Sequence, residues 1–135
     1  QGWAAPSGLG PSFRDYAGVE PADAPSLTRH VYTHPEANRF VAGFTPTVLR
    51  LANEGDATAA RLATESALEL MAQARTVAGQ LFEGVPFDRI RAGLCGHILS
   101  QPFLRKALEE AAPFPIRPIT EAPIEGVRRL LVRID

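Results

Sequence analysis

The stretch from Asp56 to Phe82 is the strongest structural constraint in this sequence, because its apolar residues recur at steps of three and four. That spacing places them on one face of an α-helix. Asp56 is the predicted N-cap of this helix, and Gly84-Val85-Pro86 ends it. The predicted core face consists of Ala60, Ala63, Ala67, Leu70, Ala74, Val77 and Leu81. Alanines on such a face allow neighbouring elements to pack closely, so the chain is predicted to fold around this helix.

Helices are predicted over the whole of residues 26–83. Ser26 is the predicted N-cap of the first helix. His34 ends it, because a residue that precedes proline avoids the α region. Pro35 and Pro46 each fit the first turn of a further short helix, since proline suits that position.

Residues 1–25 are rich in Gly, Pro, Ala and Ser, which disfavour regular elements. This segment is therefore predicted to form a loop or an extended arm. Trp3, Phe13 and Tyr16 are candidate anchors that would hold the arm on the rest of the domain, and a free arm is the alternative.

The periodicity changes after Pro86, where "FDRIRAGLCG" and "PIRPIT" are typical of strands and "LSQPFLRKALEEAA" and "IEGVRRLLV" of helices. The inward residues of the first of these helices are predicted to be Leu99, Phe103 and either Ala107 or Leu108. Residues 87–135 thus follow a β-α-β-α order, which indicates a small parallel sheet. The predicted fold class is α/β, with 26–135 as one helix-rich domain.

Composition excludes several classes of function. The formal net charge is −1, so there is no broad electrostatic footprint for nucleic acid or for an anionic membrane. No apolar run approaches the ~20 residues that a membrane span requires. The one cysteine excludes an intrachain disulfide and a cysteine-rich metal site, and it favours a reducing compartment. We therefore expect a cytoplasmic protein with no nucleic-acid or membrane partner.

His30 and His34 are four residues apart, a spacing that can place two imidazoles on one metal ion. A metal site needs at least three ligands, and the sequence offers no recognisable third. The two histidines are therefore interpreted as surface or helix-end residues, and no metal site is predicted.

The remaining candidate catalytic or ligand-binding residues lie in the segment "AGLCGHILS". Cys95 and His97 match no metal spacing, and a lone cysteine is usually a small buried apolar residue rather than a nucleophile. Gly93 and Gly96 flank the end of the predicted strand, where ligands bind in open α/β sheets. Glycine there lets a ligand approach the backbone. The alternative is that Gly96 only serves the turn.

The order of these features resembles the C-terminal part of the BadF/BadG/BcrA/BcrD-type ATPases, the family that includes N-acetylglucosamine kinase. The likeness covers roughly residues 26–132. Four stretches carry it: "LTRHVY", "FTPTVLRLANEGDATAARLATESALELMAQA", "IRAGLCGHILSQPFLRKALEEA" and "APIEGVRRLL". It implies the C-terminal lobe of an actin-like (ribonuclease H-like) ATPase fold.

In that family a Gly-Gly turn contacts the adenosine side of the nucleotide. Gly96 matches the second glycine, and Cys95 stands in place of the first. His97 and Ser100 follow in the same turn, so the resemblance implies a nucleotide-binding set of Gly93, Cys95, Gly96, His97 and Ser100. Cys95 adds a Cβ and a sulfur where the family leaves the backbone bare.

The resemblance also implies ATP with Mg²⁺ as the cofactor of the complete protein, and a partner N-terminal lobe that carries the phosphate loop and the catalytic Asp. No such loop occurs in these 135 residues, so the chain alone is not expected to be a kinase. A homodimer is a further partner that the resemblance allows.

The leading hypothesis is the adenosine-side lobe of an ATP-dependent kinase for N-acetylglucosamine or glucosamine. The alternative is a degenerate, non-catalytic lobe that serves as a protein-interaction module. A radical-dehydratase activator is disfavoured, because such activators use several cluster-ligating cysteines and this chain has one.

Overall fold

The computed structural model describes residues 6–19 and 23–122, together with residues 124, 125, 128, 129 and 132. Its elements are α1 (Leu9–Ala17), α2 (Ala24–Thr33), α3 (Ala37–Gly43), α4 (Thr45–Asn53), α5 (Ala57–Leu81), a 3₁₀ turn (Phe87–Arg89), β1 (Ala92–Leu94), α6 (Pro102–Ala111) and β2 (Ile116–Pro118). A helix-rich chain with a small parallel sheet confirms the α/β class. Among the described residues, no helix is both long and apolar enough to cross a membrane.

Asp56 is the N-cap of α5, as predicted. Its Oδ1 accepts hydrogen bonds from the backbone N–H groups of Thr58 and Ala59, at 3.0 and 2.9 Å. The same carboxylate accepts the N–H of Gly8 at 2.7 Å and the hydroxyl of Ser7 at 2.9 Å. One side chain therefore caps α5 and holds the beginning of α1 against it.

The core face of α5 differs in part from the prediction. The residues that are buried along it are Ala59, Ala63, Ala67, Met71 and Ala78. Leu70, Val77 and Leu81, which were predicted to face the core, are exposed. The prediction fails there because α4 and α6 are nine and ten residues long and cannot cover all 25 residues of α5.

Toward its C-terminal end, α5 packs instead on the segments around the sheet. Ala78 lies in a cluster with Ile90 and Phe114, and Ala74 packs against both this cluster and the main core. The helix therefore runs from an all-helical layer onto the sheet.

β1 and β2 pair in parallel, with Ala92 opposite Ile116 and Gly93 opposite Arg117. Beyond the ladder, the Ile119 N–H donates to the Leu94 carbonyl at 2.7 Å. Both strands are shorter than predicted. The first five residues of "FDRIRAGLCG" precede β1 and begin with a 3₁₀ turn, and β2 lies between Pro115 and Ile119 and ends at Pro118.

α6 begins at Pro102 rather than at Leu99, because proline suits the first helical turn and the preceding residue is extended. Leu108 is its fully buried residue, and Leu104 is also buried. Leu99, Phe103 and Ala107 are partly buried against the same core.

The predicted arm over residues 1–25 is wrong for residues 9–17, which form α1. The helix forms despite the high glycine and proline content of this segment. Pro11 lies in its first turn, where proline is tolerated, and Gly18 ends it with a left-handed φ of 64°. The anchors Phe13 and Tyr16 are confirmed: the Phe13 ring lies 5.0 Å from that of Phe44, and the Tyr16 hydroxyl donates to the Phe40 carbonyl. Trp3 lies outside the described residues.

α2 begins at Ala24 and is capped by Asp23, not by Ser26 as predicted. The Ser26 N–H donates to the Asp23 carboxylate at 2.7 Å, so Ser26 already belongs to the first turn. His34 ends the helix as predicted. Pro35 was predicted to lie in the first turn of the next helix, but α3 begins at Ala37 with Glu36 as its N-cap, so Pro35 belongs to the preceding turn. In α4, Thr45 is already helical and Pro46 lies in the first turn.

Replacing Leu108 with Ala should lower the free energy of unfolding by about 2–5 kcal/mol, since it leaves a cavity at the fully buried contact between α6 and α5. Urea denaturation measures this change. Lys106→Ala on the exposed face of α6 is the matched control and should change the free energy by less than about 0.5 kcal/mol. Equal effects of the two substitutions would contradict the assignment of the core face.

Asp56 should make stability depend on acid pH. The N–H groups of Ala59 and Gly8, together with further hydrogen bonds, hold its pKa below the ordinary value of 3.8. The stabilisation is therefore complete above that value and is lost as the pH falls through the folded-state pKa. Asp56→Asn should lower Tm at neutral pH, and its difference from the wild type should shrink toward about pH 2. Asp15→Asn is the control, and a pH-independent difference for Asp56→Asn would contradict this account.

Candidate functional site

The segment between β1 and α6 forms an ordered turn. The Ser100 N–H donates to the Gly96 carbonyl at 3.2 Å, and the Ser100 hydroxyl donates to the His97 carbonyl at 2.9 Å. The Gln101 side-chain nitrogen lies 3.1 Å from Nε2 of His97. Cys95, Gly96, His97 and Ser100 are all exposed. The structure thus brings four of the five predicted residues together on one accessible turn.

Gly96 is the residue whose conformation defines the turn. Its φ of 104° is one that side chains with a Cβ rarely adopt. Apart from its two chain neighbours, no residue has an atom within 4 Å of a Cβ placed at this position, so the space beside the backbone is open to the rest of the chain. Both the alternative that Gly96 serves the turn and the hypothesis that a ligand approaches here are therefore compatible with this geometry.

Gly93 differs from Gly96. A Cβ added at Gly93 would overlap the Cδ1 atom of Ile119. Close packing against Ile119 explains this glycine without a ligand, so its nucleotide role stays a prediction.

Cys95 is a free, exposed thiol rather than the buried apolar residue that was expected. The strand ends at Leu94, and the side chain of Cys95 therefore has no sheet neighbour to cover it. Nε2 of His97 is engaged by Gln101, so the structure does not pair Cys95 with a general base through that atom.

A polar cavity of about 230 Å³ lies at the carboxyl end of β2, the strand beside β1. Its lining consists of Arg117, Pro118, Ile119, Thr120, Glu121 and Arg129. The bond from Ile119 to Leu94 holds this segment next to the one that leads into the Gly96 turn. Thr120 and Arg129 were not predicted to be site residues. The signal that could have found them is that parallel strands end at the same edge of a sheet.

Of the two arginines that line this cavity, Arg129 is paired with carboxylates. The Arg129 guanidinium lies 3.2 Å from the Glu121 carboxylate and 3.3 Å from that of Glu125. Arg128 also binds Glu125, at 2.7 Å, and this bond, followed by that of Arg129, holds the pKa of Glu125 below its ordinary value. Arg117, which also lines the cavity, forms no ion pair among the described residues, so the cavity is polar and keeps one uncompensated cation.

His30 and His34 pack on an aromatic side chain. Their ring centroids lie 5.4 and 4.7 Å from that of Phe40 and 6.1 Å from each other. In the described ranges, no three His, Cys, Asp or Glu side chains come together in a way that could hold a metal ion. The structure thus gives the two histidines a packing role between α2 and α3.

Comparisons of the chain with protein-family models, with curated proteins and with solved structures found no match. The function must therefore be inferred from the residues of the turn and of the adjoining cavity.

Gly96→Ala should lower the free energy of unfolding by about 1–2 kcal/mol, because alanine is strained at this φ although space is available. Gly79→Ala is the matched control in the exposed, open part of α5, and it should raise the free energy by about 0.5–1 kcal/mol. Chemical denaturation of both variants tests the turn geometry. A neutral Gly96→Ala would show that the turn does not require glycine.

Proposed function

We propose that the chain is the adenosine-side, C-terminal lobe of an ATP-dependent amino-sugar kinase with an actin-like fold, working in the cytoplasm. The observation that carries this proposal is the Gly96 turn, which follows a parallel strand and leaves its backbone open to a ligand. Ligands of α/β sheets bind beyond the carboxyl ends of the strands, which is where this turn lies.

In this proposal the adenine ring approaches the bare backbone of Gly96 and the neighbouring imidazole of His97. The contact with Gln101 holds that imidazole in one orientation, so less conformational freedom is lost on binding. The Ser100 hydroxyl donates to the His97 carbonyl, and its oxygen keeps lone pairs that can accept a hydrogen bond from an exocyclic amine.

The cavity at the carboxyl end of β2 forms the second part of the proposed adenosine site. Thr120 offers a hydroxyl, and the charge of Arg129 is already compensated by Glu121 and Glu125. The Thr120 hydroxyl suits a hydroxyl group of a ribose, and Arg117, which has no ion pair among the described residues, is the cation of this lining that can bind a phosphate oxygen.

The phosphates and Mg²⁺ are assigned to an N-terminal lobe, as the resemblance implies. Bound ATP would supply the phosphoryl group for a sugar hydroxyl. The residues of this chain hold and orient the adenosine, and they hold no metal in this proposal.

One observation favours the alternative of a non-catalytic interaction module. Cys95 is exposed directly before Gly96, at the position where the resembling family has glycine, so the turn carries a Cβ and a sulfur atom that this family lacks. A lobe that has lost nucleotide binding would tolerate this change.

Titration of the chain with ADP by calorimetry tests the proposal, which predicts a Kd of about 1 mM or tighter. His97→Ala should weaken binding about tenfold, because it removes the oriented ring beside Gly96. His34→Ala, at the C-cap of α2 and outside the proposed site, is the matched control and should leave the Kd unchanged.

Cys95→Gly should tighten ADP binding, since it removes the Cβ and the sulfur atom next to Gly96. Absence of binding by both the wild type and Cys95→Gly would contradict the proposal and favour the interaction module.

A further inference from the structure

A further cavity, of about 360 Å³, lies beside the two-stranded sheet. Its volume is sufficient for a small organic ligand. Two of its lining residues, Arg91 and Pro115, directly precede the strands, whereas the Gly96 turn follows a strand. The cavity therefore extends toward the amino ends of the strands, away from that turn. Its lining consists of Asp88, Arg91, Ala92, Pro115, Ile116 and Arg117.

Arg91 and Arg117 lie on the same face of the sheet. Burial alternates along Ile90–Leu94, so Arg91 and Gly93 point away from the core. Gly93 is paired with Arg117 in the parallel ladder, and paired residues share a face. The two arginines are thus diagonal neighbours on the solvent side of the sheet. Long side chains at such positions can reach the same ligand.

The charged side chains of this cavity have no partner in the part of the chain that the structure describes. Asp88, Arg91 and Arg117 form no ion pair with any described residue. Two guanidinium groups and one carboxylate give the lining a net positive charge. Several helical arginines, in contrast, are neutralised by a glutamate four residues away, namely in the pairs Arg50–Glu54, Arg61–Glu65 and Arg105–Glu109. The cavity therefore offers two free cations to an anion.

The lining suits a phosphate group that is joined to hydroxyl groups. A guanidinium group binds phosphate oxygens through two parallel hydrogen bonds, and two such groups can share one phosphate. The Asp88 carboxylate only accepts hydrogen bonds, so its partner must be a donor such as a ligand hydroxyl. Asp88 also repels a second anionic group, which disfavours polyphosphates. Ala92, Pro115 and Ile116 provide the apolar part of the lining for a short carbon skeleton.

We propose that this cavity binds a small phosphate monoester with free hydroxyl groups, in the chemical class of glycerol phosphates and sugar phosphates. Arg91 and Arg117 hold the phosphate, and Asp88 accepts a hydrogen bond from a hydroxyl group. Arg117 also lines the cavity at the carboxyl end of β2, but Arg91 and Asp88 line only this one. Binding here and adenosine binding at the Gly96 turn can therefore fail separately.

Titration of the isotope-labelled chain with glycerol phosphate and with inorganic phosphate, followed by the shifts of the amide resonances in NMR spectra, tests this proposal. The shifts should saturate and should include the amides of Ala92 and Gly93. Glycerol phosphate should bind about fivefold more tightly than inorganic phosphate, because its hydroxyl groups donate to Asp88. Asp88→Ala should remove this preference and leave the binding of inorganic phosphate intact.

Arg91→Gln should weaken the binding of glycerol phosphate about tenfold, because it removes a charged donor to the phosphate. Arg89→Gln is the matched control. Arg89 is exposed two positions earlier, forms no ion pair among the described residues and does not line the cavity. Its variant loses the same charge and should change the Kd less than about twofold at constant ionic strength.

Four outcomes would overturn the proposal. Shifts that do not saturate, or that chloride reproduces, would show only general attraction of anions, and so would equal losses in Arg89→Gln and Arg91→Gln. A preference for glycerol phosphate that survives in Asp88→Ala would contradict the role of that carboxylate. Equal weakening of ADP and glycerol phosphate by Arg91→Gln would show that the two cavities form one nucleotide site. Binding of glycerol phosphate by a chain that does not bind ADP would support this proposal and contradict the adenosine site.

Discussion

The structure depends on one carboxylate, that of Asp56. Its oxygens satisfy two of the N–H groups that begin α5 and, on the other side, the N–H of Gly8 and the hydroxyl of Ser7. The interaction fixes where the longest helix begins, and so sets which residues reach α4, α6 and the sheet. It also joins positions 49 residues apart in the chain, which places α1 beside α4.

The alanine-rich face of α5 determines how the candidate site is held. Small side chains such as Ala63 and Ala67 allow close approach but bury little apolar area, so larger residues such as Leu108 must supply most of the hydrophobic stabilisation. At the other end of the helix, Ala78 packs beside Ile90, two residues before β1 begins. The Gly96 turn is therefore a loop carried on a rigid helix–strand layer, the usual arrangement of binding residues.

Much of this architecture follows from local sequence signals, because caps and prolines act within one turn of helix. Asp56, His34 and Pro46 are of this kind. The predictions fail where contacts between residues far apart in the sequence determine the structure. Phe13 and Tyr16 stabilise α1 through contacts with Phe40 and Phe44, which the composition of residues 1–25 does not reveal.

For the same reason, the candidate site could be predicted only in part. The turn from Cys95 to Ser100 is local and was predictable, whereas Thr120 and Arg129 come close only because β2 lies parallel to β1. Exposure of Leu81 likewise depends on the lengths of α4 and α6 rather than on its own periodicity. Periodicity identifies a helix face, but the neighbouring elements decide how much of that face is covered.

The central claim is that adenosine binds at the Gly96 turn, and a crystal structure of the chain grown with ADP tests it most directly. The account predicts density for the adenine ring against Gly96 and His97, with the ribose toward Thr120. Density for ADP elsewhere on the chain, or an empty turn at a saturating ADP concentration, would contradict it.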